Sequence, residues 1–220
     1  MKESKIIQKF YKNNLQDDDC YWDKENKQLI STDSIVEGTH FLHKWSSPKN
    51  LAKKIIEVNI SDILSSGGIP TKAFLNLGLN HISSKPDWIN SFSKEIKNLL
   101  SFYKIELCGG DTFYSQNTQI TLTLIGKLKL NKPFLRSGGK PGDNVYITGE
   151  VGFSLLGFKS LQNKINLPLH FKKKAIITHL APSCEWKKRN FFQKYNKDIH
   201  AMMDITDGLV QDLGKLAKAS

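Results

Sequence analysis

Apolar positions along the chain recur at two periods, and the alternation between them sets out the elements. Leu29 to Thr32 reads as a short strand, and LAKKIIEVNISDIL (residues 51 to 64) carries Leu51, Ile55, Ile56 and Ile63 near one face at helical spacing. AFLNLGL (73 to 79) alternates as a strand does. PDWINSFSKEIKNLLSFY (86 to 103) then lines up Trp88, Phe92, Ile96, Leu99 and Tyr103 in one helical stripe behind a Pro suited to a first turn. IELC predicts a strand before the double glycine 109 to 110, and TQITLTLIGKLKL alternates Ile120, Leu122 and Leu124 against a polar set. The Gly- and Pro-rich RSGGKPGD (136 to 143) reads as a linker or turn. Beyond it the pattern predicts a strand at NVYITG, a helix at GFSLLGFKSLQ, and a strand feeding a helix in AMMDITDGLVQDLGKLAKAS. This divides the chain into an α+β unit over 1–135 and the start of a second domain over 136–220.

Length and composition narrow the class. A chain of 220 residues can bury a sizeable core, and 39% hydrophobic with 24% charged residues is an ordinary soluble balance. No apolar run approaches the roughly 20 residues that span a bilayer. The amino-terminal MKESKIIQKFYKNN has no apolar signal-peptide region, so a cytoplasmic protein without a membrane partner is expected. Cys20, Cys108 and Cys184 are far apart with no C-x-x-C spacing, which argues for free thiols. The formal charge of +11 is spread along the chain and comes almost wholly from lysine, with Arg136 and Arg189 the only arginines. That distribution argues against a nucleic-acid partner and is compatible with attracting a small polyanion.

The acidic residues are the candidate chemistry. Asp18 and Asp19, Asp33, Asp62, Asp111, Asp204 and Asp207 each lie beside a Ser, Thr, Gly or another Asp, at strand ends, in turns or late in a helix. Any one of them reads as a cap or an Asx turn. As a set they supply the oxygen ligands that Mg²⁺ takes alongside water and substrate phosphates. Neither G-x-x-x-x-G-K-[ST] nor a G-x-G-x-x-G between strand and helix is present, so phosphate handling here rests on carboxylates and metal.

The ordered blocks DDC, STDSIVEGTHF, VNISDILSSGGIP, GGDT, RSGGKPGD, ITGEVGFSLLGF, HLAPS and MMDITDGLVQDLGKLAKAS resemble the thiamine-monophosphate kinase family, within the aminoimidazole ribonucleotide synthetase superfamily. The resemblance implies an α+β, two-domain fold whose amino-terminal domain forms a shared barrel by dimerisation, followed by a partial α/β layered domain. It implies ATP-dependent phosphorylation of thiamine monophosphate to thiamine diphosphate, with several Mg²⁺ ions, ATP and a homodimer. Asp33, Asp111 and Asp207 would be catalytic. Asp19, Ser31, Thr32, Asp33, Asp62, Asp111, Asp204 and Asp207 would hold metal; Tyr103, Gly110, Asp111, Arg136 and Thr206 would lie near ATP, and His40 at the substrate. Departures are Asp17, which makes a run of three aspartates where the family has Gly, Thr206 in place of Ser, and a GGDTFYS without the Arg that often follows GGDTT. Family members also run on further than Ser220, so the chain is expected to be either a fragment or a reduced protein lacking the carboxyl-terminal part. The alternatives are another Mg-ATP enzyme of the superfamily with a different acceptor, and a truncated, non-catalytic remnant.

Overall fold

The computed structural model describes residues 6, 9, 10 and 18–220; Asp17 lies outside them. The sheet contains β1 (Tyr21–Asp23), β2 (Gln28–Val36), β3 (Gly68–Leu79), β4 (Glu106–Gly109), β5 (Thr112–Tyr114) and β6 (Gln119–Leu128). Its order is β1-β2-β6-β3-β4, with β5 also on β3; β2 and β3 flank β6 antiparallel, while β4 and β5 run parallel to β3.

Two long helices cover one face. α1 (Pro48–Ser65) begins where Ser47 accepts a hydrogen bond from the Asn50 N–H at 3.2 Å with Pro48 in the first turn, a favoured start for a helix. α2 (Pro86–Tyr103) starts on Pro86 and stops at Lys104, whose φ of 58° ends the helical hydrogen bonding. Leu51, Ile55, Ile56, Ile60 and Ile63 of α1 and Trp88, Phe92, Ile96 and Leu100 of α2 meet Leu29, Ile35, Ala73, Ile120, Leu122 and Leu124 of the sheet in one core. On β2 the same alternation turns Leu29, Ser31 and Ile35 inward and leaves Thr32 and Ser34 on the opposite face. There Thr32 meets Thr123 at 2.9 Å and Ser34 meets Thr121 at 2.7 Å across β2 and β6.

Residues 136–220 are helical where they are regular. α3 (Phe153–Leu161) packs on α4 (Leu169–Leu180), followed by a 3₁₀ turn (Trp186–Lys188), α5 (Arg189–Lys194) and α6 (Leu209–Ala219). α3 crosses α4 at Gly157, where a Cβ would fall 2.1 Å from the Ala175 carbonyl oxygen, so only glycine permits the contact. The strands expected at NVYITG and in AMMDIT do not form. A strand needs a neighbour for its N–H and C=O groups, and among the described residues none runs beside either segment; Val145, Tyr146 and Ile147 are exposed.

Two of the contacts that join these helices to the sheet layer lie at the ends of α1 and α2. Leu64, Phe134 and Phe192 form a small apolar cluster with Met202 packed against it. The buried Glu57 of α1 accepts the Tyr103 O–H at 2.7 Å and the Cys184 N–H at 2.8 Å, with Trp186 edge-on to Tyr103. Among the described residues no helix is long and apolar enough to cross a membrane.

Candidate active site

The last turns of α1 lie beneath β2 and bring three sequence blocks together. Ser61, Asp62 and Ser65 share one side of α1 through i, i+3 and i, i+4 spacing. Ser31, on the inward face of β2, donates from Oγ to Asp62 Oδ2 at 2.5 Å. The Asp33 N–H donates to Asn59 Oδ1 at 3.2 Å, and Asn59 is itself held by the Ile55 carbonyl at 2.8 Å. The Asp33 and Asp62 carboxyls lie close enough to influence one another's charge.

Asp19 knits distant segments onto this turn. Arg136 donates to its Oδ1 from Nε at 3.0 Å and Nη2 at 2.8 Å, and the Asp204 N–H reaches Oδ2 at 3.0 Å. Ser65 Oγ lies 2.5 Å from the same Oδ2 and 2.8 Å from the Asp62 carbonyl. The neighbouring Asp18 accepts the Arg136 N–H at 2.8 Å. Asp204 thereby enters the cluster beside Ser61, and among the described residues its buried Oδ2 has no hydrogen-bond partner. A cavity of about 250 Å³ opens here, with Ser61, Ser65 and Asp204 on its polar side and Ile147, Val151 and Phe192 on its apolar side.

The electrostatics follow from crowding carboxylates away from water. Burial, then Asp204 and Asp33, push Asp62 up to about 9. Burial and Asp19 push Asp204 up to about 7, and burial raises Asp33. Without cations, protons hold this cluster together.

Other expected residues lie elsewhere. Thr32 faces the opposite side of the sheet from Ser31, since neighbours on a strand point apart. Tyr103, expected near ATP, is in the core with its hydroxyl spent on Glu57. Gly110 and Asp111 sit at the far side of β3: a Cβ on Gly110, whose φ is 153°, would fall 1.8 Å from the Leu75 carbonyl oxygen, and the Asp111 N–H donates to Asn76 Oδ1 at 2.8 Å. Asp111 is exposed and three strands from Asp33 in the order β2-β6-β3-β5. The N–H groups of Thr206, Asp207 and Gly208 converge on Asp212 Oδ2 at 3.0, 2.9 and 3.1 Å, and Lys215 bridges Asp207 and Asp212. His40 is exposed; its Nδ1 accepts the Val36 N–H at 3.0 Å, and it lies close enough to Asp33 to favour the charged carboxylate. Asn59, Ser61, Ser65 and Asp212 are additions to the expected set. The first three could have been read from helical spacing around Asp62, and Asp212 from an acid in the first turn of a helix.

The residues fit Mg²⁺. Among the described residues Asp204 offers a buried carboxylate oxygen that lacks a partner, and burial and neighbouring carboxylates raise the proton affinity of Asp62 and Asp33 beside it. Among the described residues no group of three His, Cys, Asp or Glu side chains is placed to hold a metal ion by itself. Mg²⁺ needs none, because it keeps waters and substrate phosphates and takes one or two carboxylates.

Comparison with known proteins bears on the same residues. The family model for the AIR synthase related protein, N-terminal domain, matches residues 16–128. The thiamine-monophosphate kinase of Leptospira interrogans is 49% identical over 221 residues, covering 100% of this chain and 71% of that protein. The chain belongs to the thiamine-monophosphate kinase family. Thiamine monophosphate kinase from Aquifex aeolicus has the same fold, with a TM-score of 0.86 at 31% identity over 99% of this chain and 70% of that one. AaThiL complexed with AMPPCP and TMP also gives 0.86 at 31% identity, covering 99% of this chain and 69% of that one. The thiamine-monophosphate kinase blocks named above thus belong to a mixed α/β fold that places five of them, from DDC to MMDITDGL, around Asp62.

Proposed function

We propose that this thiamine-monophosphate kinase family member transfers the γ-phosphoryl group of ATP to the phosphate of thiamine monophosphate, giving thiamine diphosphate and ADP. The observation that carries the reading is the half-buried meeting of Asp33, Asp62 and Asp204, with one buried Asp204 oxygen lacking a partner among the described residues. A relative bound to AMPPCP and TMP supports the choice of substrates.

The chemistry asks little of a general base. The attacking oxygen belongs to a phosphate whose second pKa is about 6, so at neutral pH it is largely ionised. The barrier lies in pressing two polyanions together in line, which calls for positive charge and fixed positions. Asp33, Asp62 and Asp204 would supply one or two carboxylates to each Mg²⁺, with Ser31 and Ser65 orienting Asp62 and Asp19; bound there, the metal would supply charge neutralisation between the phosphates. Asp111, Thr206 and Asp207 face solvent and are assigned to the nucleotide side, with Gly110 letting the backbone make its turn there. His40, at the end of the VEGTHF turn next to Asp33, is assigned to the acceptor.

With the division taken at 1–135 and 136–220, the acidic cluster would lie where the two parts meet, a reading supported by the bonds of Arg136 and the Asp204 N–H to Asp19. A homodimer with a shared barrel is supported by the outer sheet face, uncovered among the described residues, where the Thr32–Thr123 and Ser34–Thr121 pairs share the face with exposed Phe74 and Phe113.

The test is thiamine diphosphate formation from ATP and thiamine monophosphate with Mg²⁺, resolved by chromatography, for the chain and for Asp33→Ala. Product from the first and loss of about 10²-fold or more in the second is expected for a group that holds charge at the transferring phosphate. No product from a folded, Mg²⁺-supplied chain overturns the activity, and full activity in Asp33→Ala overturns the site.

A further inference from the structure

Lys54 projects from α1 into the angle between the VEGTHF turn and the α3–α4 pair. Its Nζ donates to the His40 carbonyl at 3.2 Å. Among the described residues it makes no other hydrogen bond and no ion pair with a carboxylate. An ammonium on a long stem escapes to water at little cost, so one that stays half-buried without a counter-charge is held at a cost in desolvation. That burial lowers the Lys54 pKa, and the lysine in turn, after burial itself, helps hold His179 down to about 4. His179 is thus neutral at pH 7, with Nδ1 3.1 Å from Ser154 Oγ. Phe158 lies against His179 at 5.2 Å between ring centres and against Trp45 at 6.2 Å, so the imidazole is held in an aromatic group. The front is open, since His40 is exposed.

We propose that Lys54, framed by the His40 carbonyl and the His179 ring, is a binding point for phosphoryl oxygens. Two ammonium protons remain for an anion, in a half-buried setting where a charge-assisted bond is stronger than in water. Placed beside His40 and Asp33, the site would take a phosphate of one of the two substrates. The assignment to a substrate rests on the kinase reading above; the affinity for phosphoryl oxygens does not. The acceptor phosphate and the ATP phosphates offer the same chemistry, and binding separates them.

The experiment has two arms. In the first, inorganic pyrophosphate without metal is added to the unmodified chain and the His179 ring is titrated by NMR. An anion on Lys54 cancels part of the charge that depresses His179, so its pKa rises with pyrophosphate; an unmoved His179 overturns the site, whatever the substrates are. In the second, thiamine monophosphate, thiamine and ATP are titrated calorimetrically against the chain and against Lys54→Met and Lys54→Arg. Loss of about 10-fold or more in affinity for thiamine monophosphate but not thiamine in Lys54→Met, partly retained in Lys54→Arg, assigns the site to the acceptor. The same loss for ATP alone assigns it to the donor. Unchanged affinities for all three overturn the proposal. A His179 response to pyrophosphate in a chain that binds neither substrate would retain the anion site and defeat the kinase reading.

Discussion

Arg136 closes on Asp19 across 117 residues of sequence, with Nε and Nη2 both on Oδ1 and only 2% of the Asp19 side chain exposed. The pair ties the linker after the sheet to the segment that enters it. The second Asp19 oxygen holds the Asp204 backbone, so one carboxylate fixes the place where a third segment joins the cluster. Removing the guanidinium leaves a buried charge surrounded by Asp62 and Asp204. Arg136→Ala is expected to lower unfolding free energy by about 3–5 kcal/mol, the range for breaking a buried pair from one side. Denaturant unfolding checks this, and Arg136→Lys should recover little because a single ammonium cannot present two N–H groups in that fork.

Asp62 makes the opposite prediction. It is buried among like charges, yet its one side-chain donor, Ser31, would serve an amide oxygen equally well. Asp62→Asn should stabilise the metal-free chain by about 1–2 kcal/mol by relieving that repulsion while abolishing turnover. Calorimetric scans in EDTA and in Mg²⁺ would show the unmodified chain gaining Tm from Mg²⁺ and the variant gaining much less. A fall in metal-free stability would mean that Asp62 holds the fold through its charge.

His179 supplies a pH dependence with a definite sign. Its folded pKa is about 4, depressed by burial and by Lys54, against about 6.5 when unfolded. Between these values the unfolded state binds more protons, so this group's contribution is intact above pH 6.5 and is lost as pH falls through 4. His179→Gln should flatten the decline in stability over that window relative to the unmodified chain. Parallel curves from denaturant midpoints between pH 7 and pH 4 would contradict it.

The VEGTHF turn is anchored from beneath. Thr118, fully buried, meets His43 Nε2 at 3.0 Å and donates to Ser83 Oγ at 2.9 Å, while Glu37 accepts from Asn80 at 2.8 Å and from the Thr118 N–H at 3.0 Å. Thr118→Val leaves Ser83 and His43 without that hydroxyl at nearly constant volume. A loss of about 1–3 kcal/mol is expected, the cost of buried groups left unpaired. Hydrogen exchange at the Gly38 and His40 amides, bonded to Phe41 and Val36 carbonyls, should quicken more than exchange on α2.

Much of the layer around the site could be read from local spacing. The helices expected over 51–64 and 86–103 occur at 48–65 and 86–103, because their apolar faces and starting prolines are properties of neighbouring residues. The strands expected at NVYITG and AMMDIT had comparable local patterns but no partner among the described residues to complete their hydrogen bonds. Within the site, strand alternation already separates Thr32 from Ser31 and Asp33, so one of the three adjacent positions had to face away. Tyr103 is less legible: its place on an apolar helical stripe was compatible with the core, and only the position of Glu57 and Trp186 decided that its hydroxyl is used there.

The amino-acid sequence by itself determined the family blocks, the inward and outward faces of each strand, and the oxygen-rich character of the site, since these depend on residue type and short-range period. The tertiary structure alone decided that Asp19 serves Arg136 and Asp204, and that among the described residues Asp204 keeps a buried oxygen without a partner and Lys54 makes no ion pair. Those are facts of distance and desolvation. Charges far apart in the chain acquire their energies only when folding sets what lies within a few ångströms of them and how much water remains.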